Sequence, residues 1–148
     1  MSGFRQAVFY AMIPMNIALI LWVWIGRGLF SVTLMWIAAF MLFTFVPLAL
    51  LMLTTSTALA FAQRRRPVRL TTAQAWAQVA LWGILLVTGA VVIDVDDATR
   101  EESIVMLLAG WSPTMLDVSM KLTGALALAA VLCWAVLVAL LLAGRRKP

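Results

Sequence analysis

Histidine is absent from the 148-residue sequence, and cysteine occurs once, as Cys133. The chain therefore has no imidazole of its own for haem or metal ligation or for acid–base catalysis. A single cysteine excludes an intramolecular disulfide and a CxxC redox or zinc motif. Cys133 lies in an apolar run, where a thiol behaves as a small hydrophobic residue. From these absences we expect no catalytic site, no metal site and no cofactor in this chain.

Charged residues are also scarce: they make up 11% of the chain, whereas 65% is hydrophobic and the mean hydropathy is +1.06. A soluble domain usually has about 25% charged residues. A folded domain of about 150 residues still exposes roughly 30% of the surface of its unfolded chain, so a water-soluble fold cannot hide this much apolar surface. The composition predicts an integral membrane protein, which we assign to a bacterial inner or plasma membrane.

Long apolar runs predict an all-α, polytopic membrane protein with four transmembrane helices in a single domain, residues 1–148. A helix of ~20 apolar residues crosses a bilayer. The predicted spans are residues 5–25, 31–62, 72–93 and 113–143. No small-residue cleavage site follows the first run, so we expect it to be kept as a span. The second and fourth runs are longer than a bilayer requires, which predicts tilt or protrusion.

Short motifs predict where several helices begin and end. Thr71 with Gln74 forms a capping-box pattern at the start of the third span. Ser112 followed by Pro113 is typical of a helix start, because proline at the first helical position loses no intrahelical hydrogen bond. Between these two spans, Thr99 with Glu102 forms another capping-box pattern, which predicts a short helix over residues 103–109. It is too short to cross a bilayer, so we expect it to be interfacial.

The basic residues are concentrated in a turn after the second span and at the C-terminus. This basic cluster comprises Arg64, Arg65, Arg66, Arg69, Arg145, Arg146 and Lys147. Four spans place both groups and Arg5 on one side, with eight positive charges and no acid, while all six acids fall on the other side. The positive-inside rule then predicts that both termini are cytoplasmic. We expect the cluster to contact anionic lipid headgroups and no nucleic acid.

All but one of the acids belong to a single segment between the third and fourth spans, the exception being Asp117. These acids are Asp94, Asp96, Asp97, Glu101 and Glu102. Three neighbouring aspartates resemble a hard-cation cluster, but the glycine and the late glutamate of a calcium loop are not in place. A DDxxD motif also fails, because its last position holds Arg100. We expect a solvated loop or a partner-docking patch, with a metal site as the alternative.

Two further groups of polar residues are candidate sites. Asp117 and Lys121 are four residues apart, acid before base, which predicts an ion pair near the outer headgroups; the alternative is a substrate or gating pair. Asn16 falls near the middle of the first span, while Thr44 and Pro47 fall near the middle of the second. An asparagine between two proline-kinked helices predicts either an interhelical hydrogen bond or the lining of a pore.

No acid lies deep within a predicted span, and the chain has no paired Ser-His, Cys-His or two-carboxylate motif. We therefore predict that the protein is not an enzyme. The expected function is that of a non-catalytic accessory or scaffold subunit of a larger membrane protein complex, respiratory or cell-envelope. Small-residue patches around Gly83 and Gly124 would allow close packing against other membrane subunits.

Two other functions stay open at this point. The protein is alternatively a small oligomeric channel or carrier with a polar midplane site around Asn16, because four helices alone rarely enclose a pore. It is alternatively an enzyme that acts on lipid, using a metal bound by the outer acids Asp94, Asp96 and Asp97.

Overall fold

The computed structural model describes residues 2–30, 36–63, 70–93 and 103–145, and the described residues form helices with no strand. The α-helices are α1 (Ser2–Ile25), α2 (Trp36–Phe43), α3 (Phe45–Phe61), α4 (Thr72–Val91), α5 (Ile104–Ala109) and α6 (Pro113–Arg145), with a 3₁₀ helix at Gly26–Phe30. The predicted all-α class is confirmed.

Within the described ranges, three helices are long and apolar enough to cross a membrane: α1 over Gly3–Ile25, α4 over Thr72–Val91 and α6 over Pro113–Gly144. Helices α2 and α3 satisfy the same criterion only as a pair, and they are bent by 42° relative to each other. By length and composition, the described part of the chain thus contains three helices that could cross a membrane, or four candidate spans if the bent pair counts as one.

The bend between α2 and α3 lies within one helical turn of Pro47, and proline gives a physical reason for a break there. Proline has no amide hydrogen, and its ring clashes with the carbonyl four residues earlier. That carbonyl belongs to Phe43, the last residue of α2. The sequence predicts one run through residues 31–62 with a kink at Pro47; the structure places the break three residues earlier, at Thr44. In α1, by contrast, the helix continues through Pro14.

Side-chain caps fix the helix starts that the sequence motifs predict. The Thr71 hydroxyl accepts a hydrogen bond from the Gln74 amide at 3.2 Å, and the Gln74 side-chain oxygen accepts one from the Thr71 amide at 2.9 Å. This capping box is confirmed. The Ser112 hydroxyl accepts from the Met115 amide at 3.1 Å at the start of α6. The short helix α5 begins after Ser103, whose hydroxyl caps it; the sequence motif does not predict this cap, and the predicted pair Thr99 and Glu102 lies outside the described residues.

Helix α4 lies at the centre of the bundle and packs against both α1 and α6, while α3 contacts α1 and α6. Helices α1 and α4 approach closely at the indole of Trp22, which occupies the space where a Cβ of Gly89 would lie. The same indole donates a hydrogen bond to the Leu86 carbonyl at 2.8 Å. A glycine in α4 thus lets a large α1 side chain reach the α4 backbone.

Contacts along the helices show how they run. Phe4 stacks on Trp76 with ring centroids 5.2 Å apart, and Trp22 reaches Gly89, so α1 and α4 run in the same direction. We call the end of the bundle that holds Gln63, Thr71 and Gly144 the basic-turn end. We call the other end, which holds Ile25, α5 and Pro113, the α5 end.

Candidate functional site

A polar cluster lies in the interior, between α1, α3 and α4. Asn16 at its centre is only 4% exposed. Its Oδ1 accepts hydrogen bonds from Trp82 Nε1 at 2.8 Å and from Gln78 Nε2 at 3.3 Å. Its Nδ2 donates to Thr57 Oγ1 at 3.2 Å. Asn16 therefore joins three helices at the depth where an unpaired amide is most costly.

The neighbours of Asn16 fix the orientation of its amide. An indole N–H only donates, so the atom facing Trp82 must be the carbonyl oxygen of Asn16. The Thr57 hydroxyl donates to the Leu53 carbonyl at 2.6 Å, which leaves its lone pairs free to accept from Asn16. Each donor therefore meets an acceptor in the series of hydrogen bonds that leads from Trp82 through Asn16 and Thr57 to the Leu53 carbonyl. An interhelical hydrogen bond of this kind is worth about 0.6 kcal/mol on average in a membrane, so the cluster aligns the helices more than it holds them together.

The structure separates Asn16 from the other two residues of its predicted site. The Thr44 hydroxyl donates to the Phe40 carbonyl of its own helix at 2.9 Å, and Pro47 is exposed. Sequence reasoning missed the partners that Asn16 does have. One face of α4 carries a side chain with an N–H donor every four residues: Gln74, Gln78 and Trp82. This spacing is the sequence signal that predicts a polar stripe on α4.

A second polar group lies at the basic-turn end, where α3, α4 and α6 meet. Gln74 Nε2 donates to the Leu140 carbonyl at 2.9 Å. A Cβ on Gly144 would lie 2.8 Å from Gln74 Nε2 and 3.3 Å from Gln63 Nε2, so both amides reach the α6 backbone. Within the described part of the chain, both amide atoms of Gln63 and the Oε1 atom of Gln78 are buried without a hydrogen-bond partner.

Indole groups form further links between helices. Trp24 Nε1 donates to the Ala38 carbonyl at 2.9 Å, and Trp134 Nε1 donates to the Met52 carbonyl at 2.7 Å. With Trp22 and Trp82, four tryptophans thus use their N–H to contact a different helix. The sequence alone favours a lipid-facing or interfacial role for such residues.

A lateral groove runs beside this interior, between the bent pair α2–α3 and α6, with α4 as its floor. Its volume is 730 Å³. The walls include Phe40, Leu48 and Met52 on one side and Thr123, Ala127 and Trp134 on the other. Almost all of the lining surface is hydrocarbon. The groove is therefore suited to an apolar occupant.

The predicted charged sites fall partly within the described residues. Lys121 Nζ lies 2.7 Å from Asp117 Oδ2, with both side chains more than half exposed. The other predicted charged sites lie outside the described residues. They are the acids Asp94, Asp96, Asp97, Glu101 and Glu102, the basic residues Arg64, Arg65, Arg66, Arg69, Arg146 and Lys147, and the side chain of Arg145. Within the part that is described, no three His, Cys, Asp or Glu residues group as metal ligands.

The chain was compared with protein-family models, with characterised proteins and with solved structures, and none of them matches it. The function is therefore argued from the geometry alone.

Proposed function

We propose that the protein is a non-catalytic accessory or scaffold subunit of a larger membrane complex in a bacterial inner or plasma membrane. In this proposal it crosses the membrane four times. The bent pair α2–α3 serves as one span, because Trp24 of α1 bonds Ala38 near the α5 end and Phe9 of α1 stacks on Phe61 near the basic-turn end. Both termini and the basic turn then lie on the cytoplasmic side, as the charge distribution favours.

The observation that carries the proposal is the exposed face of α6. Among the described residues this helix contains the longest candidate span, Pro113–Gly144, yet only 11% of an 18-residue apolar stretch within it is buried. The corresponding shares are 39% for α1 and 44% for α4. We define the outer face of α6 by Gly124, Leu128 and Leu132, which are spaced four residues apart and exposed.

Gly124 makes this face suitable for another helix. A Cβ at Gly124 would meet no atom within 4 Å, so the α6 backbone is accessible there. Helix pairs in membranes lack a hydrophobic driving force and associate through close backbone contact at small residues. A glycine at this position does not improve contacts with lipid, whereas it lets the backbone of a partner helix approach closely.

The interior supports the same proposal. Both amide atoms of Asn16 bond to protein partners, and those partners come from two other helices. A residue used in this way aligns helices: both lone pairs of its oxygen accept hydrogen bonds from α4, and one of its two N–H groups donates to α3. The protein then acts through its outer surfaces, as a scaffold does.

A substitution at Gly124 tests this proposal. Gly124→Leu adds a side chain whose Cβ meets nothing within the protein but which blocks close approach of a partner helix. Gly3→Leu in α1 is the matched control, because a Cβ at Gly3 is equally open and lies outside both small-residue patches. In native gels of mild-detergent extracts we expect the wild type and Gly3→Leu in a high-mass species and Gly124→Leu in a smaller one. A wild-type protein that migrates as a free monomer would contradict the proposal.

One observation favours a second function, a small oligomeric channel or carrier. The Oε1 atom of Gln78 and both side-chain amide atoms of Gln63 are buried without a hydrogen-bond partner, and they extend the polar cluster from Asn16 towards the basic-turn end. Its test is permeability: in proteoliposomes, Asn16→Leu should change the osmotic water or small-solute flux while leaving the helical content unchanged. Equal flux in protein-containing and empty liposomes would eliminate this function.

A further inference from the structure

Three buried side-chain atoms of two glutamines point to a small ligand in the polar interior. Gln63 is 6% exposed and Gln78 is fully buried. Within the described residues, Nε2 and Oε1 of Gln63 and Oε1 of Gln78 have no hydrogen-bond partner. A buried polar group without a partner shifts the folding equilibrium roughly five- to 150-fold towards the unfolded chain, so such groups are normally satisfied by protein or by water.

The two glutamines belong to one group of polar side chains. The Cβ position of Gly144 lies 3.3 Å from Gln63 Nε2 and 2.8 Å from Gln74 Nε2, so these two nitrogens are at most the sum of the distances apart, about 6 Å. Gln78 follows Gln74 by one turn on the same face of α4. Its Nε2 donates to Asn16 Oδ1 at 3.3 Å. The unpartnered atoms therefore lie between the basic-turn end and Asn16.

The neighbouring amides are already engaged. Gln74 Oε1 accepts from the Thr71 amide and Gln74 Nε2 donates to the Leu140 carbonyl, both at 2.9 Å. Asn16 Oδ1 accepts from Trp82 as well as from α4 one turn earlier. These bonds hold both amides in place, so neither can turn to the unpartnered atoms without losing a hydrogen bond.

Helices α3 and α4 face each other diagonally across the bundle, because both pack against α1 and α6. Gln63 on α3 and Gln78 on α4 are buried between them. On the same two faces, one turn earlier, lie the small residues Ala60 and Ala75, which are 1% and 0% exposed. Long amide side chains and alanines thus share the centre of the bundle at this level, an arrangement suited to a small polar ligand.

The unpartnered atoms require a ligand that both donates and accepts hydrogen bonds. The carbonyl oxygens of Gln63 and Gln78 need donors, whereas Gln63 Nε2 needs an acceptor. A simple anion cannot donate to the oxygens, and a metal ion cannot accept from the amide nitrogen. A water molecule does both, and buried water with two to four polar partners is a regular part of folded proteins.

The polar interior ends at Asn16. The next buried side chains towards the α5 end are apolar, Leu19 on α1 and Leu81 on α4. Water that enters from the basic-turn end therefore finds hydrogen-bond partners as far as Gln78 and none on these leucines.

From these observations we propose that the centre of the bundle binds internal water at its basic-turn end. The bound water donates to Gln63 Oε1 and Gln78 Oε1 and accepts from Gln63 Nε2, so it links α3 to α4. The site is an inlet that closes at Asn16, so it holds water without conducting it across the membrane. It does not depend on the scaffold function, because no partner subunit contributes to it.

Nuclear magnetic resonance of the protein in lipid nanodiscs tests the site. In the wild type we expect cross-peaks between water and the side-chain amide protons of Gln63 and Gln78. Their NOE and ROE should have opposite signs, because this combination marks a bound molecule rather than passing solvent. The indole N–H of Trp82 lies beyond the inlet and should give no water cross-peak. This measurement requires no variant to fold.

A substitution tests whether the two glutamines share the water. Gln63→Met keeps the length of the side chain and removes both hydrogen-bonding groups. We expect the water cross-peak at Gln78 to fall about fivefold or more, the factor that one average hydrogen bond contributes. Gln6→Met is the matched control, because Gln6 is an exposed glutamine near the same end of α1, and it should leave the Gln78 cross-peak unchanged.

Three results would overturn the site. A wild type without water cross-peaks at Gln63 and Gln78 would show a dry interior. A Gln78 cross-peak that is unchanged in a correctly folded Gln63→Met variant would show that the two glutamines do not share the water. A water cross-peak at Trp82 would extend the water past Asn16 and favour the channel or carrier instead, which osmotic flux into proteoliposomes would check independently.

Discussion

Trp82 Nε1 donates a hydrogen bond of 2.8 Å to Asn16 Oδ1, joining α4 to α1 in the interior of the bundle. Because an indole N–H has no acceptor capacity, this contact also directs the Asn16 amide nitrogen towards Thr57 on α3. One asparagine thereby sets the relative register of three helices.

The first prediction concerns this contact. Trp82→Phe removes one donor and leaves the Asn16 oxygen with its weaker bond to Gln78, so we expect a loss of about 1–2 kcal/mol in the free energy of unfolding. In a double-mutant cycle with Asn16→Leu, the coupling energy should be about 0.6–1.7 kcal/mol. Unfolding measured in a lipid bicelle by steric trapping gives both values. A coupling energy indistinguishable from zero would show that the contact does not contribute to the fold.

The second prediction concerns Gly89. Any Cβ there overlaps the Trp22 indole, and the same indole also crowds Gly26, so the ring cannot easily move away. We expect Gly89→Ala to destabilise the protein by about 1–3 kcal/mol, the usual cost of overpacking an interior. Gly83→Ala is the control, since its Cβ meets nothing and alanine favours the helix by up to about 1 kcal/mol. Equal stability of the two variants would contradict the close approach of α1 and α4.

The third prediction concerns the bend. Pro47→Ala restores an amide that can bond the Phe43 carbonyl and removes the steric clash, so α2 and α3 should straighten towards one helix. Five residues before the break, a 42° bend displaces the chain by about 5 Å. Spin labels at Ala39 and Leu128, both exposed, should therefore report a distance change of up to about 5 Å. An unchanged distance would mean that packing rather than Pro47 causes the bend.

The fourth prediction concerns orientation. Replacing Arg64, Arg65, Arg66 and Arg69 by alanine removes half of the positive charges on the side assigned to the cytoplasm. We expect a mixed or inverted topology, read from a reporter fused to the C-terminus, because the basic excess next to the spans sets their orientation. The triple alanine variant of Arg145, Arg146 and Lys147 keeps the turn and should keep the orientation. If the turn variant inserts normally, the turn is better explained as a docking site.

Local motifs made much of the fold predictable. Thr71 and Gln74 cap each other within one helical turn, and Ser112 caps the turn that follows it, so neither depends on the rest of the chain. The short helix after Ser103 and its end at Gly110 are local in the same sense. Apolar length, which needs no tertiary information, predicted the three long helices.

The contacts between helices were not predictable, because in a lipid-embedded chain apolar residues face both inwards and outwards. Asn16 could be placed at mid-span, but its partners Thr57 and Trp82 lie 41 and 66 residues further along the chain. Tryptophan is typical of the membrane interface, so nothing in the sequence distinguished Trp82 from an interfacial residue. The role of Gly89 depends wholly on a ring from another helix.

The scaffold function is tested most directly by the native mass of the protein extracted from its own membrane. Native mass spectrometry of the gently solubilised wild type should show the 16.2 kDa chain within a heavier assembly that contains at least one other polypeptide. In Gly124→Leu, that assembly should be lost while the chain itself remains helical. A wild type found only as the free chain, or only as copies of itself, would contradict the account.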